Sequence, residues 1–236
     1  MFFYGIDWTY IVLVLPAVIF AMIASAMVNS TFDRYSKVRN QRGLTGAEAA
    51  RRILDAAGLS NVSIERASGK LSDHYDPRAN VVRLSDSVYD QPTPAAVGVA
   101  AHECGHAIQH ATGYLPIKIR NAIIPITNIG SKLSIPLIIL GLILTAWSQN
   151  AIYVAYIGVA LFSLCVLFQL VTLPTEFNAS RRAVRTIDDM GLLAGDDLAA
   201  CKKVLTAAAM TYVAALAVSL MQLIRLLLIV GRNRRD

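Results

Sequence analysis

Four long apolar runs constrain the fold of this chain more than any other feature of its sequence. They cover residues 8–28, 128–147, 151–173 and 205–230, and as helices they are long enough to cross about 30 Å of hydrocarbon. Only 16% of the residues are charged, against roughly 25% in soluble domains. The sequence therefore predicts a multi-span α-helical membrane protein.

The lysines and arginines beside these runs predict their orientation. No Lys or Arg precedes the run 8–28, whereas Arg34, Lys37 and further basic residues follow it. Since Lys and Arg are enriched on the cytoplasmic side, we expect an uncleaved transmembrane anchor whose N-terminus lies outside. The basic segment 174–204 belongs in the cytoplasm by the same rule, which makes 128–173 a transmembrane hairpin with its tip outside.

The last apolar run, residues 205–230, does not fit this charge rule. As a fourth span it would carry Arg232, Arg234 and Arg235 to the outside, and Arg225 lies within it. Charges inside spans usually face protein or water. The sequence slightly favours a span here and leaves open a helix that packs against the polar part of the chain from the cytoplasmic side.

One polar segment, residues 29–127, lies between the first two spans and should fold in water. Thr45 and Glu48 have capping-box spacing and predict the start of a helix. Residues 61–66 and 80–84 indicate short strands, and a second helix should begin at Pro94 and run towards Ala111, before Thr112 and Gly113. These elements predict an α+β unit.

The net charge of +6 does not indicate a nucleic-acid partner. The basic residues cluster beside apolar runs, as expected for a protein whose partner is a lipid bilayer, and no stacking aromatic residues interleave them. The three cysteines, Cys104, Cys165 and Cys201, have no paired spacing, which argues against a disulfide framework.

Residues 102–106 of the polar segment have the pattern His-Glu-x-x-His. On the expected helix, His102 and His106 share one face, so both imidazoles can reach one ion. Glu103 stands beside the first of them, where its carboxylate can take a proton from a water that a metal makes acidic. The pattern predicts one Zn2+ per chain, with Glu103 as the catalytic base.

Such a site needs a third protein ligand, and the inventory of candidates is short. The chain has four histidines and four glutamates. His110 lies one helical turn too far along the axis, Glu48 belongs to the capping box, and Glu65 belongs to an early strand. Glu176, just after the third apolar run, is therefore the predicted third ligand; a solvated carboxylate at the start of a helix is the alternative.

These motifs resemble a known family. Residues 102–109, with 72–78 upstream and 176–183 downstream, look like the bacterial membrane-bound neutral zinc metallopeptidases (YugP-like). The chain is more distantly similar to the HtpX-like and prenyl-protein membrane proteases, which share a gluzincin zinc site. The resemblance covers most of the chain and implies a small gluzincin-like zinc peptidase unit on the cytoplasmic face.

The resemblance has one departure on the helix of the third ligand. The more distant relatives carry Glu-x-x-Ala-Asp there, but Ser180 occupies the Asp position in this chain. The hydrogen bond to a zinc-binding histidine must therefore differ or come from another residue. Asp188 and Asp189 are candidates.

The resemblance also suggests that the strand before the active helix binds extended substrate. Residues 80–85, with Val81, Val82 and Arg83, fit that role if they form an exposed edge that can add a peptide strand. An ordinary sheet strand is an equally good interpretation.

A polar cluster, His74, Tyr75 and Asp76, lies between the predicted strands. These residues could line the cleft or donate a hydrogen bond to an oxyanion, although a structural loop is the simpler interpretation. Other candidate donors are Tyr89, Tyr114, His110 and Arg181, and the sequence does not choose among them.

The sequence thus predicts a membrane-embedded zinc endopeptidase whose metal lies near the inner face of the bilayer, since Glu176 closely follows Pro174 at the end of a span. Its substrates would be membrane proteins or peptides at the bilayer surface. One alternative is a membrane scaffold or metal-binding module with a degenerate site. A transporter is disfavoured, because the spans are few and the polar part is large. An oligomer or a partner protein remains open.

Overall fold

The computed structural model describes residues 7–69 and 71–232, most of which are helical. A π-helical segment, Tyr10–Val14, leads into the first helix, and a 3-10 turn, Gln149–Ala151, joins the fourth to the fifth. The elements in chain order are α1 (Leu15–Tyr35), α2 (Gly46–Ala56), β1 (Ser63–Ala67), β2 (His74–Asp76), β3 (Val81–Ser85), α3 (Pro94–Ala111), α4 (Leu115–Leu144), α5 (Ile152–Asp189) and α6 (Gly195–Arg232).

Four helical stretches of the described chain are long and apolar enough to cross a membrane. This agrees with the predicted multi-span protein, and the uncertain last run lies within the fourth stretch. Two of its terminal arginines, Arg234 and Arg235, lie outside the described residues. The stretches are Tyr10–Tyr35, Leu115–Leu144, Gln149–Asp189 and Gly195–Arg232, with mean hydropathies of 2.7, 1.7, 2.4 and 2.4 in their most apolar parts.

The helices extend beyond the apolar runs that the sequence delimits. α1 continues past the predicted anchor 8–28 to Tyr35. The predicted boundary between 173 and 174 falls inside α5, which continues through Pro174 to Asp189. A proline removes one backbone hydrogen bond from a helix, and long membrane helices tolerate that loss.

The described chain divides into two compact units. The first consists of residues 7–23, 119–173 and 212–232. Within it α4 and α5 lie so close together at Gly141 that a Cβ on this residue would collide with the backbone of Ala155. Small residues at the interface of membrane helices allow such close approach.

Arg225, the charge within the last apolar run, belongs to this first unit. Only 8% of it is exposed. Its Nε donates to Oδ1 of Asp7 across 3.3 Å, and its guanidinium lies 5.4 Å from the centre of the Tyr10 ring. The charge therefore faces protein, as expected for an arginine within an apolar helix.

The second unit consists of residues 24–118 and 174–211 and holds a three-stranded sheet. Its strand order is β1-β3-β2, with β1 parallel and β2 antiparallel to β3. The expected exposed edge at residues 80–85 is therefore wrong: β3 is the central strand and pairs along both sides. The interpretation of His74–Asp76 as a loop is also wrong, because these residues form β2 at the edge of the sheet.

The predicted helix from Pro94 to Ala111 is confirmed as α3. The hydroxyl of Thr93 accepts from the N–H of Ala96 at its start, and Gly113 follows its end with a φ of +65°. Most of α3 is buried, because its many Ala and Gly residues let neighbouring elements approach closely. The capping box of Thr45 and Glu48 is likewise confirmed at the start of α2.

Candidate metal centre

Two helices of the second unit supply the candidate ligands. α3 carries His102 and His106 on one face, one turn apart. α5 carries Glu176. The helices approach closely at Gly105, where a Cβ would lie 2.9 Å from the carbonyl oxygen of Ala179. The absence of a side chain at Gly105 therefore lets the histidines reach the glutamate.

The three side chains converge on one point. Nε2 of His102 lies 3.2 Å from Oε2 of Glu176, and Nε2 of His106 lies 3.4 Å from the same oxygen. The three possible ligand atoms lie within 4.8 Å of one another. The imidazole rings stand edge to face, with 4.7 Å between their centres. The residues that the sequence selected as metal ligands are thus brought together.

The spacing of these atoms fits zinc. Zinc binds histidine nitrogen and carboxylate oxygen at about 2.0–2.2 Å in tetrahedral geometry, so two ligand atoms should lie about 3.3 Å apart. The two separations of 3.2 and 3.4 Å match this edge. Two imidazoles and one carboxylate also leave a fourth position open, which is the arrangement of catalytic zinc sites.

A second layer of hydrogen bonds orients both imidazoles. Nδ1 of His102 lies 3.1 Å from Oγ of Ser180, and Nδ1 of His106 lies 3.0 Å from Oε1 of Gln109. Such partners hold Nδ1 protonated and leave the lone pair of Nε2 free for a metal. Both Nε2 atoms therefore face Glu176 as potential ligands.

Gln109 links the two helices through its amide. Its Nε2 donates to the carbonyl of Thr175 across 2.8 Å and to Oδ1 of Asn178 across 3.0 Å. The side chain is completely buried. Because its oxygen faces His106 while its nitrogen faces α5, Gln109 fixes both the imidazole and the segment that carries Glu176. The sequence offered no signal for this role beyond its place one turn after His106.

Of the two possibilities for this position, a different contact is found, and replacement by another residue is not. Ser180 itself makes the contact with His102. Asp189, one of the two suggested substitutes, instead lies 3.5 Å from Nε of Arg185 at the surface. A hydroxyl can accept the Nδ1 proton of an imidazole as a carboxylate does, but it brings no negative charge.

Glu103, the predicted catalytic base, is buried, with 8% of its surface exposed, and it is not one of the three converging ligands. It lies beside His102 on α3. Burial lowers the pKa of His106, but the hydrogen bond with Glu176 and the charges of Glu103 and Glu176 outweigh it, and the net pKa is raised. The charge of Glu103 is therefore felt within the ligand cluster.

Asp73 is a half-buried acid near Glu103 that sequence reasoning did not single out. It accepts from the N–H of Ser85 across 2.7 Å and from the hydroxyl of Ser85 across 3.0 Å. Burial raises the pKa of Asp73, the hydrogen bonds from Ser85 oppose that rise, and the charge of Glu103 adds to it. Its place in the segment 72–78, which carries part of the family resemblance, was its signal in the sequence.

The predicted substrate-binding residues have different environments. Val81 and Val82 lie in the core, 1% and 0% exposed, so they are not available to a substrate. Arg83 pairs with Asp76 at 2.9 Å and with Glu65 at 3.3 Å. Burial of the two valines, and the pairing of β3 with a strand on each side, exclude the proposed role of these residues as an exposed edge strand.

His74 and Tyr75 lie on the edge strand β2. His74 is exposed, with Nδ1 2.8 Å from the carbonyl of Ser72. The ring of Tyr75 lies 6.0 Å from that of His110 on α3, and its hydroxyl donates to Asn80. Tyr75 therefore connects the edge of the sheet with the helix of the candidate ligands.

Cys104 fills space in the core. It is completely buried, and its Sγ lies 3.6 Å from the carbonyl of Ala50. Burial raises the pKa of the Cys104 thiol far above its ordinary range. The thiol therefore remains protonated, and Cys104 acts as a packing residue rather than as a metal ligand.

Comparison with known proteins agrees with this arrangement. Residues 10–231 match the model of a family described as "Putative neutral zinc metallopeptidase". The chain is 45% identical over 227 residues to "Putative membrane protease YugP" of Bacillus subtilis (strain 168), a match that covers 96% of this chain and 99% of that protein. No solved structure matches the chain.

Proposed function

Because this chain belongs to the YugP-like family of neutral zinc metallopeptidases, we propose that it is a membrane-embedded zinc endopeptidase that hydrolyses peptide bonds. The observation that carries the proposal is the convergence of His102, His106 and Glu176, with both Nε2 atoms close to the same carboxylate oxygen. Two histidines and a glutamate from a separate helix form the ligand set of thermolysin-like, gluzincin sites.

Each residue of the site has a distinct task in this proposal. His102, His106 and Glu176 would hold the ion, which would supply Lewis acidity to polarise a carbonyl and to lower the pKa of a water so that hydroxide is available near neutral pH. Glu103 takes the proton of the attacking water and delivers it to the nitrogen of the leaving amine. Ser180 and Gln109 keep the imidazoles in the required tautomer.

We also propose that β2 aligns the substrate. β2 pairs with β3 on one side, and no strand of the described residues pairs with its other side. An extended peptide can add to such an edge through backbone hydrogen bonds. The contact between Tyr75 and His110 supports this role, because it brings the edge strand next to the helix that carries the candidate ligands.

The active site is proposed to face the cytoplasm at the inner edge of the bilayer. Glu176 follows the end of the apolar run 151–173 by three residues, and basic residues follow it from Arg181 onwards, as the charge rule requires for a cytoplasmic segment. Substrates would then be membrane proteins or chains presented at the membrane surface. Accessibility of single cysteines at residues 112–132 and 173–180 tests this: labelling from the outside, or uniform labelling as in bulk water, would contradict it.

The decisive experiment separates metal binding from chemistry. We expect purified wild type to contain one zinc per chain and to cleave a membrane-protein substrate. Glu103→Gln should retain zinc and lose cleavage, whereas His102→Ala and Glu176→Ala should lose both. Zinc retained in Glu176→Ala would refute its role as a ligand, and unchanged function in Glu103→Gln would favour a scaffold with a degenerate site.

A further inference from the structure

A cavity of about 560 Å³ lies between the C-terminal part of α1 and the N-terminal part of α6, within the second unit. It shares no residue with the candidate metal centre. Its walls carry three cations, Arg34, Lys202 and Lys203, and no acidic side chain. We call this cavity the basic groove.

The cations of the basic groove are not neutralised by the protein. Among the residues that the structure describes, no carboxylate lies within ion-pairing distance of Arg34, Lys202 or Lys203. The ring of Tyr35 lies 5.5 Å from the Arg34 guanidinium and 6.0 Å from the Lys203 ammonium. The ring of Tyr35 therefore contacts one cation from each helix, Arg34 of α1 and Lys203 of α6, and both cations line the cavity.

Hydroxyl groups lie next to these cations. Ser30 and Thr31 of α1 and Thr206 of α6 line the groove. The Ser30 hydroxyl donates to the carbonyl of Met27, while the hydroxyls of Thr31 and Thr206 make no hydrogen bond with the described residues. They are free to donate to an oxyanion. Ammonium, guanidinium and hydroxyl donors around one cavity are the groups that recognise phosphate.

The order of these residues along each helix follows the depth of a membrane. About 20 helical residues cross the hydrocarbon, so a span that begins at Tyr10 ends near Asn29. Along α1 the groove is then apolar at Met27, hydroxylic at Ser30 and cationic at Arg34. All three lie at the boundary between hydrocarbon and headgroups.

α6 shows the same order in the opposite chain direction. The groove is cationic at Lys202 and Lys203, hydroxylic at Thr206 and apolar at Ala207, where the last apolar run begins. Both walls thus change from charged to apolar towards the hydrocarbon. This is the polarity gradient of a phospholipid, from its phosphate to its acyl chains.

We propose that the basic groove binds the phosphate of an anionic phospholipid, with the lipid's glycerol and acyl chains directed past Met27 and Ala207. Basic pockets between membrane helices are known to bind anionic headgroups. The proposal requires that the helices are embedded in a membrane and does not depend on the peptidase activity. A free phosphate shares the headgroup's chemistry, and the experiment distinguishes the two.

The test measures binding of headgroup-labelled phosphatidylglycerol to the full chain in neutral detergent. We expect saturable binding to wild type that unlabelled phosphatidylglycerol displaces and phosphatidylcholine does not. The triple variant Arg34→Gln, Lys202→Gln, Lys203→Gln should weaken it about tenfold or more, since it removes the three cations that line the groove. The control triple Lys37→Gln, Arg52→Gln, Arg185→Gln removes the same charge from exposed positions outside the groove and should stay within about twofold of wild type.

A second variant keeps the test valid if the triple variant does not fold. Thr206→Met retains all three cations but fills the groove at an exposed position, and it should abolish saturable binding. Equal losses in the groove and control triples would reduce the effect to surface charge and overturn the proposal. Displacement of the label by inorganic phosphate as effectively as by phosphatidylglycerol, or undiminished binding in Thr206→Met, would overturn the lipid assignment.

Discussion

Oγ of Ser180 lies 3.1 Å from Nδ1 of His102, on the side of the imidazole ring opposite the nitrogen that faces Glu176. Ser180 and Glu176 stand one turn apart on α5, so one helix contacts both nitrogens of the same ring. The hydroxyl thereby fixes the tautomer in which Nε2 can bind a metal.

Replacing Ser180 should change metal affinity in two directions. Ser180→Ala removes the partner of Nδ1 and should weaken zinc binding by about 10- to 100-fold. Ser180→Asp supplies a carboxylate that makes the imidazole more basic, and it should bind zinc at least as tightly as wild type. Competition with a chelator measures both, and Ser163→Ala, which changes a half-buried serine far along the same helix, is the control. Wild-type affinity in Ser180→Ala would show that the contact has no orienting role.

Gln109 should separate metal affinity from stability. Gln109→Met removes the hydrogen-bond partner of Nδ1 of His106 and the amide that donates to Thr175 and Asn178, and should lower both zinc affinity and the free energy of unfolding, the latter by about 1–3 kcal/mol. Gln109→Glu keeps an acceptor for His106 but loses the donor to Thr175. It should therefore lower the melting temperature while retaining most of the zinc affinity. Equal zinc affinities of Gln109→Met and wild type would contradict this assignment.

Gly105 should not tolerate a methyl group. A Cβ there would lie 2.9 Å from the carbonyl oxygen and 3.2 Å from the Cα of Ala179, and backbone atoms cannot rotate away as a side chain can. Gly105→Ala should destabilise the second unit by about 1–3 kcal/mol and reduce zinc content, because it separates the histidines from Glu176. Gly231→Ala, where nothing lies within 4 Å, is the control. Full zinc content in Gly105→Ala would mean that the helices can shift without loss of the site.

Asp73 should make stability depend on pH. Burial raises the pKa of Asp73 above its ordinary value of 3.8, so its stabilising contribution is complete below about pH 4 and is lost as the pH rises through the folded-state pKa. Asp73→Asn can keep both hydrogen bonds with Ser85 and does not titrate. Its melting temperature, relative to that of wild type, should therefore increase between about pH 4 and pH 7. A difference that is constant or decreases over this range would refute the prediction.

The pair of the buried Arg225 and the half-buried Asp7 should show coupling. Asp7→Asn leaves the buried guanidinium without its carboxylate, and Arg225→Met leaves the carboxylate without its cation, so each should lower the melting temperature. The double variant removes both charges and should be less harmful than the sum of the single changes, with a coupling energy of about 1 kcal/mol. Additive effects would show that the pair contributes no interaction energy.

Local sequence signals predicted the parts of the fold that depend on near neighbours. Pro94 and the stop at Thr112 and Gly113 delimited α3, because the ends of a helix depend on a few adjacent residues. The candidate metal ligands were also predictable from the sequence. Helical spacing selected His102 and His106, and Glu176 remained once the other three glutamates had been assigned.

Pairing between distant segments was not predictable in the same way. β2 has only three residues, too few to show an alternating pattern, and it separates β3 from the edge of the sheet. The hydrogen bond between Ser180 and His102 joins residues that are 78 positions apart. Neither contact leaves a trace in local spacing, so the sequence could place the ligands but not the residues that orient them.

Because α5 contacts both nitrogens of the His102 imidazole, the site is sensitive to the register of α5 against α3. Each residue of an α-helix advances the direction of its side chains by about 100°, so a slip of α5 by a single residue against α3 would turn Glu176 and Ser180 away from His102 together. Gly105, which meets the backbone at Ala179, fixes the depth of that contact. Zinc binding would then depend on the correct packing of the two helices. A chain in which α5 packs against α3 in the wrong register could not retain the ion, and so could not hydrolyse a peptide bond through it.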